Sequence, residues 1–70
     1  MEREQGTVAR KIDEKGYGFI SREGHDKDVF FHANECVNVE FDSLQEGDKV
    51  SFDLAQTPKG MNAVAVELVE

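Results

Sequence analysis

Two stretches decide how this chain is read: Lys15-Gly16-Tyr17-Gly18-Phe19-Ile20, and a few residues later Val29-Phe30-Phe31-His32. Successive side chains of a β-strand point to opposite faces. Tyr17, Phe19 and Ser21 therefore share one face of the first stretch, and Gly18 and Ile20 share the other. In the second, Phe30 and His32 point one way, and Val29 and Phe31 the other. Paired as neighbouring strands, the stretches supply a core of Ile20, Val29 and Phe31. Tyr17, Phe19, Phe30 and His32 then lie together on the opposite face. A domain of this size has one interior, which is already taken, so the four rings meet solvent. A cluster of exposed apolar side chains marks an interaction surface. The flat ligand on which every ring can stack is a nucleobase, and only an unpaired strand offers base faces.

Outward from this centre, residues 1–5 are polar and expected to fray. Residues 7–12 read as a first strand with Val8 inward, and residues 13–16 as a turn in which Gly16 is free to adopt positive φ. The second strand is residues 17–22, followed by a polar loop over 23–27 and a short third strand over 28–32. Residues 33–36 suit one helical turn. Residues 37–45 form a long connection in which Phe41 stands isolated among polar and acidic neighbours. After a turn at 46–48, residues 49–56 alternate cleanly, with Val50, Phe52 and Leu54 inward and Ser51 and Asp53 outward. Residues 57–60 turn again, since Pro58 cannot donate to a ladder. Residues 61–69 form the last strand, with Val64, Val66 and Leu68 inward. Five strands without an amphipathic helix predict an all-β fold: one domain over residues 1–70, closing into a small antiparallel barrel.

At 70 residues such a domain buries only about 60% of its unfolded surface, so stability is marginal. The single cysteine excludes an intrachain disulfide and fits a reducing, cytoplasmic setting. No apolar run is long enough to cross a membrane as a helix. The net charge of −7 is uneven. Residues 1–32 hold six bases against seven acids, whereas residues 33–70 hold two bases against eight acids. The aromatic stretches thus sit in the nearly neutral half.

The two stretches resemble the first and second ribonucleoprotein motifs of cold-shock domains. The resemblance extends to Gly6-Thr7-Val8 and to Leu44-Gln45-Glu46-Gly47-Asp48-Lys49-Val50-Ser51-Phe52, and so covers nearly the whole chain. It implies the oligonucleotide-binding (OB) form of the five-stranded barrel, with an SH3-like barrel as the alternative. It also implies low-specificity binding of single-stranded RNA or DNA by stacking, as an RNA chaperone or gene-expression regulator, by a monomer without cofactor. Basic residues of the family at the positions of Lys15 and Lys59 approach phosphates or bases. The family acid matching Asp28 accepts from a base edge or ties a turn. A stacking phenylalanine is implied at Phe41, against which stands a plug that pins its loop to the barrel. His32 reads either as a fourth ring of the platform or as a histidine satisfied by backbone.

The first strand departs from the family. Where cold-shock domains usually read Val-Lys-Trp-Phe-Asn, this chain reads Val8-Ala9-Arg10-Lys11-Ile12, and Ala33 follows the second motif where phenylalanine is usual. Three rings are lost and two cations gained. Arg10 offers a guanidinium plane that stacks on a base and reaches a phosphate, and Lys11 a further charge for the strand. The lost rings and the acidity favour a rival reading, a protein-interaction module of the same fold. Two histidines and one cysteine make no metal site. His32 and Cys36 lack the third group of a nucleophilic site, so no catalytic residue is assigned; the resemblance, whose matching position is usually aliphatic, implies that Cys36 fills a small apolar site.

Overall fold

The computed structural model describes residues 3–69; residues 1, 2 and 70, including part of the segment expected to fray, lie outside them. Five strands form: β1 (Glu4–Ile12), β2 (Tyr17–Ser21), β3 (Val29–His32), β4 (Lys49–Thr57) and β5 (Gly60–Leu68). They close into a barrel in the order β1-β2-β3-β5-β4. Neighbours pair antiparallel, except that β3 and β5 meet in parallel, Phe30 beside Asn62 and Phe31 beside Ala63. This is the expected all-β, five-stranded OB barrel. Its strands match the predicted ones to within a residue or so, save that β1 starts three residues earlier. Glu4 and Gln5, expected to fray, pair with Phe52 and Ser51 of β4.

Phe31 fills the middle of the barrel, fully buried with Ile20, Val8, Leu44, Val50, Phe52, Ala63 and Val66. Gly18 faces it from β2. A Cβ built on Gly18 would lie 2.6 Å from the Arg10 carbonyl oxygen and 2.8 Å from the Phe31 ring. The glycine therefore serves for space rather than for its dihedrals. Gly16, by contrast, reverses the chain between β1 and β2 at φ +72°, a conformation glycine adopts without steric cost.

Two bulges set the phase of the outer strands. Ala9 is the extra residue of β1: Val8 pairs with Ile20, and Arg10 pairs with Phe19. In β5 the register against β4 shifts near Ala65, which sits at φ +51°. That dihedral is costly for a residue with a Cβ, and its neighbours hold it. Arg3 donates to the Ala65 carbonyl and pairs with Glu67 and Asp53, while the Ala65 N–H donates to Glu35 Oε1 at 3.2 Å. The bulge corrects one expectation. Simple alternation put Val64 inward; the structure buries Ala63 and Val66, three residues apart, and leaves Val64 half-buried. Leu54 and Leu68 are also only half-buried, packed against the core's edge.

The long connection is ordered by two single turns, Ala33–Glu35 and Phe41–Ser43, and between them it supplements β5. Cys36 bridges Val66 in parallel, the Val37 N–H donates to the Val66 carbonyl at 2.8 Å, and Leu68 N–H donates to Asn38 Oδ1 at 2.9 Å. No helix among the described residues is long and apolar enough to cross a membrane.

Because the Gly18–Phe31 contact leaves no room for a methyl group, Gly18→Ala is expected to destabilise the domain by roughly 2–3 kcal/mol. Urea unfolding followed by far-ultraviolet circular dichroism measures the loss.

Candidate nucleic-acid interface

Antiparallel pairing of β2 with β3 sets Phe19 opposite Phe30 and Tyr17 opposite His32. With Phe31 and Ile20 committed to the interior, these four side chains emerge on one outer face, as the two-residue period requires. The rings form a cluster. Tyr17 and Phe30 are 5.2 Å apart, Tyr17 and Phe19 5.9 Å, and Phe19 and Phe30 6.0 Å between centroids, the latter two pairs nearly edge to face. Edge-to-face contacts hold the rings in place before any ligand arrives, which lowers the entropy lost on binding. All three rings are half-buried and His32 is exposed. His32 caps the turn that follows it, its Nδ1 accepting the Asn34 N–H at 3.1 Å. In the neutral ring, Nε2 then carries the proton and faces outward as a donor. Backbone thus satisfies one nitrogen, as the second reading of His32 had it, and the ring itself stays exposed.

The cations of β1 part company. The Ala9 bulge turns Arg10 to the outer face, where it is exposed beside Phe19. The same bulge turns Lys11 inward, opposite Gly18. Its side chain is only 10% exposed; the ammonium lies 5.0 Å from the Phe41 ring centroid, donates to the Leu44 carbonyl and pairs with Asp13 at 3.1 Å. The Lys11 N–H also donates to Glu46 Oε2 at 3.1 Å. Two expectations are corrected here. Lys11 is not an open cation for a strand; it fastens the 41–46 connection to β1. Phe41 is not an exposed ring; it is 8% exposed and packs 5.8 Å from Phe31, as the plug reading had it. A lysine on β1 leaves the top of Phe41 a cationic lid, and cation–π attraction with apolar packing draws the ring inward.

At the other edge of the face, β5 adds residues that sequence alternation had missed. With Ala63 inward, Asn62 lies outward beside Phe30, and Met61 is 46% exposed. Together with Phe19, Phe30, Asp28 and Lys59 they line an open recess of about 720 Å³. Both the shifted phase of β5 and its parallel pairing with β3 lie beyond what a two-residue period reveals, so no signal in the sequence pointed to Asn62. Asp28 and Lys59 thus approach the rings from separate loops, whereas Lys15 stands exposed at the opposite end, in the turn before Tyr17.

Cys36 is free and half-buried against the core. Burial holds its thiol above the ordinary value, the Lys11 ammonium opposes that shift and Glu35 adds to it. Among the described residues no three potential metal ligands gather.

Lys11 and Phe41 act as structural partners, which separates their variants from those of the outer face. Phe41→Ala is expected to cost about 3 kcal/mol of stability, and Lys11→Ala about 1 kcal/mol; thermal unfolding reads both. The raised thiol pKa predicts that iodoacetamide at pH 8 alkylates Cys36 more slowly in the native protein than in urea, as the thiolate is the reacting species. Mass spectrometry follows the rate.

Residues 4–69 match the family model of the 'Cold-shock' DNA-binding domain. The chain is 50% identical over 64 residues to cold shock protein CspC of Bacillus subtilis, covering 91% of this chain and 96% of that one. It is 43% identical over 65 residues to the probable cold shock protein A of Mycolicibacterium smegmatis, covering 93% and 97% of the two chains. Among solved structures, Drosophila Unr CSD456 superposes with a TM-score of 0.77 at 26% identity, covering 97% of this chain and 27% of that longer one. With the family match spanning almost every described residue, the chain belongs to the cold-shock DNA-binding domain family.

Proposed function

We propose that the protein binds single-stranded RNA or DNA with low sequence specificity, through bases stacked on Tyr17, Phe19, Phe30 and His32. The observation that carries this reading is the ring cluster itself, held ready on a solvent-facing sheet whose opposite side is the core. Each stacked base contributes ~1–3 kcal/mol, whatever its identity, so a few rings give useful affinity on an acidic chain. Arg10, Lys15 and Lys59 border the rings and meet phosphates or base edges; Asp28 and Asn62 offer an acceptor and an amide to base edges in the recess. Lys11 and Phe41 contribute indirectly, by fixing the connection beside the face.

The free energy of stacking is enough to act as an RNA chaperone. A protein that binds unpaired strands and not duplexes shifts the equilibrium toward the unpaired form by mass action, with no cofactor or hydrolysis. The free thiol of Cys36 fits a reducing cytoplasm.

Titration of the 15N-labelled protein with heptauridylate and heptathymidylate tests the reading. Saturable shifts at Tyr17, Phe19, Phe30 and His32 at micromolar concentration are expected; their absence at millimolar oligonucleotide defeats it. Phe30→Ala is expected to weaken binding roughly tenfold to a hundredfold while the domain stays folded. With three bordering cations, log Kd is expected to rise with log salt concentration at a slope of about 2, near 0.7 per phosphate contact. A slope several times steeper would mean that charge rather than stacking holds the strand.

A further inference from the structure

We infer that Arg10 makes guanine the preferred base at one position of the bound strand. This rests on the single-strand reading above and gives it a specificity that the rings alone lack. The Ala9 bulge sets Arg10 on the outer face, in register with Phe19, at the head of a row that continues through Phe30 and Asn62. Three other cations are engaged within the fold. Arg3 is held by Glu67, Asp53 and the Ala65 carbonyl, Arg22 by Glu4, and Lys11 by Asp13 and the Leu44 carbonyl. Arg10 is exposed, and among the described residues it has no ion pair, side-chain hydrogen bond or ring contact. A planar fork of donors therefore stands unoccupied beside the ring on which a base would lie.

The chemistry of that fork selects among bases. A guanidinium has five N–H donors and no acceptor, so it demands two adjacent acceptors in the plane of its partner. Guanine presents O6 and N7 side by side, and arginine to this edge is the commonest specific contact to a base. Adenine sets an amino donor next to N7, which repels the fork. Uracil and thymine separate their carbonyls by the N3–H donor. Cytosine offers N3 and O2, yet its single ring covers less of Phe19 than the double ring of a purine. The charge of Arg10 would draw any phosphate; its geometry favours guanine. A lysine in its place would keep the charge and lose the fork.

Fluorescence anisotropy with labelled heptauridylate, and with seven derivatives carrying one guanosine at each position in turn, tests the inference. One position is expected to bind about tenfold tighter with guanosine than with uridine. At that position adenosine and cytidine substitutions are expected to bind more weakly than guanosine. Arg10→Lys is expected to bring the guanosine-to-uridine ratio close to one, and Arg10→Gln to move the preference toward adenosine, whose N6 and N7 suit an amide. Thermal melts establish that both variants fold. Tight heptauridylate binding with equal affinity for all seven derivatives overturns the inference and leaves the single-strand reading standing. A guanosine preference that survives in Arg10→Lys, or a stronger preference for cytidine, overturns it as well. If no oligonucleotide binds, it is the single-strand reading that fails, and the inference falls with it.

Discussion

The structure depends on the fit of Phe31 into the centre of the barrel. A small closed sheet has room for few large side chains inside, and Phe31 takes the middle with Phe52 and Ile20 around it. Once it points in, strand geometry sends Phe30 and His32 out. Gly18 must yield space to the ring, which fixes the phase of β2 and sends Tyr17 and Phe19 out on the same side. Ala63, the small neighbour of Phe31 on β5, sends Asn62 out beside them. The outer face is thus the complement of the core: the packing that stabilises the domain also assembles the ring cluster on its surface.

Charge is distributed by the same logic. The chain carries −7 overall, yet several cations are spent within the fold. Arg3 closes the Ala65 bulge, Arg22 pairs with Glu4, and Lys11 lies half-buried over Phe41. Ion pairs whose acidic partner stays in solvent are each worth little, whereas the Lys11 cluster gains from partial desolvation and from a ring on one side. The exposed cations that border the rings are few, so the proposed binding draws more on flat contact than on charge. Such a balance makes binding less sensitive to salt and more sensitive to the placement of each ring.

Much of this was legible in the sequence. The alternation in Lys15–Ile20 and Val29–His32 gave the two faces of β2 and β3, and the turn residues gave five strands and their approximate ends. The features that a two-residue period hides arise where one residue is inserted into a ladder. The Ala9 bulge separates Arg10 from Lys11 by more than their adjacency implies, sending one to the outer face with the rings and the other over Phe41. The Ala65 bulge reverses the phase of β5, so that Ala63 rather than Val64 is buried and Asn62 joins the platform. Alanine carries no mark of a bulge; the residues that hold this one, Arg3 and Glu35, come from distant parts of the chain. Phe41 looked exposed because its neighbours in sequence are polar, while the side chain that covers it, Lys11, lies thirty residues earlier.

The parallel seam between β3 and β5 has a consequence for how the domain comes into being. Phe30 gains its outer neighbour Asn62 only after β5 has crossed the barrel and docked. Contacts between residues so far apart in sequence form late and slowly, since the loop must close before they repay it. The rings of β2 and β3 come together within one hairpin, but the recess that they share with Met61 and Lys59 needs the last strand in place. A ligand that spans the seam binds the closed barrel and not the unfolded chain, so it stabilises the fold by mass action.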